Sequence, residues 1–141
     1  MSGLPAAGKD TWVARHRGDQ PVVSLDALRR SMGVAPGADQ APVITAAREE
    51  AREHLRAGRP FVWNATNVSR DLRMRTVALC ADYGARVEIV SVEAPPATVR
   101  KRNRARTQPV PDAVIDRLIS RWETPDPTEA HTVKWVETAD R

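Results

Sequence analysis

The chain has 141 residues, 41% hydrophobic and 28% charged, with a formal charge of +4 and a pI near 10.0, which fits one globular domain with its own core. No apolar run approaches the roughly 18 residues of a membrane helix, there is no signal-peptide pattern, and the one cysteine, Cys80, excludes an internal disulfide. A cytoplasmic location without membrane contact is expected, and the basic balance permits an anionic partner without identifying it.

Near the front, residues 2–13 read SGLPAAGKDTWV. Gly3 and Gly8 stand at the spacing of G-x-x-x-x-G-K-[ST], and Lys9 follows them. In such a loop, backbone N–H groups close around phosphate oxygens, the next helix N-terminus adds positive charge, and the lysine reaches the β- and γ-phosphates. Glycine serves where a Cβ would block a close approach or where φ is unusual. Pro5, Ala6, Ala7, Gly8, Lys9, Asp10 and Thr11 are the candidate nucleotide-binding residues. Asp10 stands where a Ser or Thr would hold Mg²⁺, and Thr11 comes one place late. A carboxylate is itself a hard oxygen ligand, so the loop reads as altered rather than dead, with Asp10 the candidate Mg²⁺ ligand. Only two residues precede Gly3, where a buried strand is expected. The first strand therefore reads as truncated, with a longer chain or a parent protein upstream.

Further along, PVVSL (21–25), FVWN (61–64), RVEIVSV (86–92) and TVKWV (132–136) read as strands. SLDALRR places Asp26 just after the first of these and Arg29 three residues later on one face. The pair reads as a general base with an anion clamp, or as an N-capping Asp with a solvent-facing Arg. Val43, Ile44, Ala47, Ala51 and Leu55 repeat at helical spacing, and Gly58 ends that helix. NATN (64–67) is a polar turn after FVW. Ser69 caps a helix carrying Leu72, Leu79, Cys80 and Tyr83, which Gly84 closes. Arg100, Lys101, Arg102, Arg104 and Arg106 crowd seven residues, with Arg102 and Arg106 on one helix face at i and i+4. Pro111 and Asp112 start a last amphipathic helix through Val114, Ile115, Leu118, Ile119 and Trp122. Strands alternating with helices imply a mostly parallel sheet of about four to five strands flanked by helices in three layers, with ligands beyond the carboxyl ends of the strands. Cys80, Trp63 and Trp122 read as packing, and His16, His54 and His131 lack metal-ligand spacing.

In order, G-L-P-A-A-G-K-D-T-W, D-A-L-R, A-T-N, R-N-R-A-R and V-P resemble the phage-type polynucleotide 5′-kinase family of P-loop phosphotransferases, from Gly3 to about Trp122. The resemblance implies a single P-loop kinase domain over 1–141 that uses ATP and Mg²⁺ to phosphorylate 5′-hydroxyl ends of RNA or DNA, often beside a fused or associated end-repair domain. It implies Lys9 on the β- and γ-phosphates, Asp26 as general base, Arg29 as clamp on the acceptor phosphate, and Arg102 and Arg106 as lid arginines over the donor. Asn64–Ala65 lacks the carboxylate that often precedes Thr-Asn in that family, which removes an expected partner of Arg29. Two other readings remain open: a P-loop kinase of a small molecule, and a silent nucleotide- or RNA-binding module.

Overall fold

A computed structural model describes residues 1–138. Its strands form two parallel ladders. In the first, β1 (Val22–Ser24) pairs with β2 (Val62–Asn64), Val22 opposite Val62 and Ser24 opposite Asn64. In the second, β3 (Glu88–Glu93) pairs with β4 (Thr132–Glu137) over six positions. Between the ladders lies the very front of the chain. The Ser2 amide donates to Val90 O at 2.9 Å, Ser2 O accepts from Val92 N at 2.8 Å, and the Met1 nitrogen donates to Trp63 O at 2.8 Å. The expected central strand is thus present as a single parallel bridge, Ser2 to Ser91.

The helices fall where the sequence put them, with local reasons. The helix α1 (Lys9–His16) leaves the glycine loop directly. The short α2 (Leu25–Ser31) is capped by Ser24, whose hydroxyl accepts from Ala27 N; Asp26 is therefore not the cap. The longest, α3 (Ala41–Arg56), buries Val43, Ala47 and Ala51. Ser69 caps α4 (Arg70–Asp82) by accepting from Leu72 N. Gly58 at φ 65° and Gly84 at φ 69° take the left-handed conformation that ends α3 and α4. Last come α5 (Pro96–Arg104) and α6 (Asp112–Ser120). Both end sooner than the sequence pattern implied. Arg106 lies beyond α5, so the shared helix face of Arg102 and Arg106 does not exist, and Trp122 lies past α6 rather than on its stripe.

Residues 89–92 of β3 are all buried, as befits a strand covered on both faces. Val90 and Val92 pack with Ala7, Val99 and Ile115, and Leu4, Trp12, Ile119 and Val136 close around them. Trp63 is only half buried, and its Nε1 is a buried donor without a partner among the described residues. Among the described residues one ion pair lies inside. Arg73 and Glu129 are 2% and 4% exposed, with Arg73 Nε 2.7 Å from Glu129 Oε1. Arg73 NH1 also donates to Asn67 O at 2.9 Å, and Glu129 Oε2 accepts from Asp126 N. This network ties α4, the turn after β2 and the segment before β4 together.

Candidate functional site

The carboxyl ends of the strands and the glycine loop open onto one cleft of about 1140 Å³. That exceeds the usual volume for one small ligand and can hold a donor and an acceptor together. Residues 5–8 arch over the start of α1. Gly8 sits at φ 111°, a conformation that strains any side chain, and a Cβ on Gly3 would come within 2.5 Å of Val92 O. Both glycines of the motif thus have a steric reason to be glycine, by different routes. Ala6 takes φ 63° despite its side chain. The Gly3 amide is tied to Thr66 O at 2.8 Å, which joins the loop to the turn after β2.

Lys9 folds back on its own loop, its Nζ donating to Gly3 O at 2.8 Å and Leu4 O at 2.9 Å. Burial lowers its pKa from 10.5 to about 8; Asp10 and Asp26 oppose the shift, and Arg106 adds to it. Lys9 thus lies within electrostatic reach of both carboxylates and of Arg106.

Asp10 and Thr11 both line the cleft from α1. Asn64, at the end of β2, donates from Nδ2 to Asp10 Oδ1 at 2.7 Å. Its own Oδ1 is left buried without a hydrogen-bond partner among the described residues. Asp10 brings a carboxylate and Asn64 an unpartnered amide oxygen, both hard oxygen donors, so the residue types here fit Mg²⁺. Among the described residues no group of three or more His, Cys, Asp or Glu could hold a metal, so a cation here would need oxygens from a bound phosphate as well.

Across the cleft, Asp26 and Arg29 of α2 form an ion pair through Asp26 Oδ1 and Arg29 NH1. The missing carboxylate partner of Arg29 is replaced by a residue that the sequence reading passed over. Gln40 Oε1 accepts from Arg29 Nε at 2.7 Å, while Gln40 Nε2 donates to Ala38 O at 2.7 Å and Ala35 O at 3.0 Å. Trp12 and His16 of α1 also line the cleft, their rings stacked at 4.6 Å, with the Arg17 guanidinium over the Trp12 ring at 5.4 Å.

Arg102 reaches the loop from α5, donating to Ala7 O at 3.2 Å and to Thr138 Oγ1 at 3.0 Å. Thr138, just past β4, donates in turn to Ala7 O. It is a second residue without a sequence signal. Arg106 lines the cleft from the segment after α5. That segment is held by Asn103, which is 1% exposed: its Nδ2 donates to Val110 O at 2.7 Å and its Oδ1 accepts from Val110 N at 2.9 Å. All five candidate catalytic residues, Lys9, Asp26, Arg29, Arg102 and Arg106, therefore face one cavity, and the loop candidates Pro5, Ala6, Gly8, Asp10 and Thr11 line it with them. Ala7 is buried behind it.

A family model described as an AAA domain matches residues 1–125. Among solved structures, a protein from Chloroflexus aurantiacus named as a candidate kinase matches with a TM-score of 0.72 and 19% identity, over 96% of this chain and 84% of that one. A gluconokinase from Sinorhizobium meliloti matches with a TM-score of 0.66 and 19% identity, over 99% of this chain and 81% of that one. Those likenesses establish the three-layer P-loop kinase-like fold, parallel strands flanked by helices. No curated protein matches the chain.

Proposed function

This chain belongs to the AAA-domain family of P-loop kinase type, and from that premise we propose that it transfers the γ-phosphoryl group of ATP to a hydroxyl on a small anionic acceptor. The observation that carries the reading is the opening of Lys9 and the Asp26–Arg29 pair onto one cleft. The kinship in fold with a gluconokinase, whose name denotes a small hydroxylated acid as substrate, supports a small acceptor over a polynucleotide.

In-line phosphoryl transfer asks a protein mainly for positioning and charge stabilisation. The loop amides and Lys9 hold the donor phosphates. Asp10 and the Asn64 amide oxygen would hold Mg²⁺, which when bound would supply positive charge against the donor's phosphates. Asp26 accepts the proton of the attacking hydroxyl, a task for which a modest base suffices in a loose transition state. Arg29 holds the acceptor's anionic group, and Arg102 and Arg106 supply positive charge over the donor as its bridging oxygen leaves.

A 5′-hydroxyl polynucleotide acceptor is the second reading. The aromatic rings of Trp12 and His16 in the wall of the cleft favour it, since a nucleic-acid base can pack against such rings. One experiment separates these readings: transfer from γ-labelled ATP to a panel of small hydroxy acids, neutral sugars and nucleosides, and a 5′-hydroxyl oligonucleotide. Faster labelling of a small anionic compound is the expected result. Preference for the oligonucleotide would establish the second reading. ATP binding without transfer to any acceptor would mark a silent nucleotide-binding module and end both.

A further inference from the structure

Arg29 is held on both of its edges, and the difference between the two contacts decides which of its donors can meet an acceptor. A guanidinium offers an oxyanion two paired edges, one of them through Nε and the other through the terminal nitrogens. Gln40 occupies Nε at 2.7 Å, and Gln40 is itself fixed by the carbonyls of Ala35 and Ala38 in the segment overhanging the cleft. The edge left for a ligand is the terminal one. Asp26 already sits there, on NH1.

The two contacts differ in how readily they exchange. Side-chain exposure is 59% for Asp26 against 25% for Arg29, so their ion pair is wetted at its acidic end. Exposed pairs of this kind contribute little and swap partners easily. The Nε contact is partly buried and backed by a fixed amide. Because Gln40 is neutral, it orients Arg29 without spending its charge, as a carboxylate partner would.

We propose that Gln40 is a positioning residue that presents the terminal edge of Arg29, so that an acceptor oxyanion pairing with both terminal nitrogens takes the NH1 position from Asp26. The acceptor's own charge thereby releases the base that its hydroxyl needs. A neutral hydroxyl compound leaves Asp26 held by Arg29, so the site discriminates for anionic acceptors beyond the affinity of the clamp itself. This rests on the acceptor reading above and deepens it.

The test reads anion binding directly, so its failure is distinct from a failure of transfer. Inorganic phosphate is titrated into the full chain, with the donor site filled by a non-hydrolysable ATP analogue and Mg²⁺, while the ¹⁵N signal of Arg29 Nε and the ¹³C signal of the Asp26 carboxylate are followed. In the unaltered chain the Asp26 signal should move with phosphate and the Nε signal should stay. Asp26→Asn removes the competitor and should tighten phosphate binding about threefold, the scale of an exposed ion pair. Gln40→Leu should weaken it about tenfold and shift the Nε signal, whereas Gln40→Glu should keep that signal near its original position. A merely structural role for Gln40 would lower the melting temperature of Gln40→Leu and leave phosphate affinity alone, which would overturn the proposal. Weaker or unchanged phosphate binding by Asp26→Asn would overturn it too, and that variant alters no buried contact.

Discussion

Lys9 offers a direct measurement of how the nucleotide site is built. In the free protein its Nζ rests on two carbonyl oxygens, and burial lowers its pKa to about 8. At pH 8 about half of the molecules therefore carry a neutral Lys9, and at pH 7 about a tenth. A triphosphate brought against Nζ favours the charged form and returns the pKa towards its ordinary value. Binding should then take up about half a proton per molecule at pH 8 and about a tenth at pH 7. The nucleotide's phosphates are already ionised at pH 8, so the uptake belongs to the protein. Calorimetry of an ATP analogue in buffers of different ionisation enthalpy reads this number from the slope of the apparent enthalpy. In Lys9→Arg the side chain stays charged at all working pH values, so the slope should vanish at pH 8 while binding persists. An uptake near zero in the unaltered chain, or an undiminished one in Lys9→Arg, would refute the reasoning. The same shift has a consequence for stability with a fixed sign. Between about pH 8 and 10.5 the unfolded chain holds more protons on Lys9 than the folded one, so the contribution of Lys9 to stability rises with pH through that window.

Three further outcomes are expected. Glu129→Ala strands the buried Arg73 charge and should cost about 3–5 kcal/mol in urea unfolding, while Arg73→Met combined with Glu129→Leu should cost less than either partner's loss alone; additive losses would refute the pairing argument. Gly3→Ala puts a Cβ 2.5 Å from Val92 O, and should lower stability by about 1–3 kcal/mol and weaken nucleotide binding, with an unchanged melting temperature counting against the close approach. Arg106→Ala should reduce kcat about 10³-fold or more while leaving the affinity for ATP within a few-fold, and turnover near that of the unaltered chain would remove Arg106 from the reaction.

Much of this was legible because it rests on short-range rules. The glycine loop, the Ser69 cap and the helix-ending Gly58 and Gly84 each follow from backbone geometry within a few residues. The four strands were readable because apolar runs bounded by turn residues have few other uses, although β1 gives up Leu25 to α2 once Ser24 acts as its cap. The contacts that complete the site were hidden for the opposite reason. Gln40 meets Arg29 across eleven residues from a segment without periodicity, and Thr138 meets Ala7 across 131. The helix reading of Arg102 and Arg106 failed where side chains override local pattern: Asn103 turns inward to pair with Val110, and Pro109 disfavours helix at the residue before it. Charge spacing alone cannot reveal such a turn.

That inward-facing asparagine has a consequence for where Arg106 is held. Because one amide pins both feet of the six-residue span between Asn103 and Val110, its tip forms a hoop whose movement need not disturb the helix below. Changing the length or composition of the hoop is thermodynamically cheap so long as its feet stay tied. The position of Arg106 in the wall of the cleft can therefore be retuned there without repacking the core.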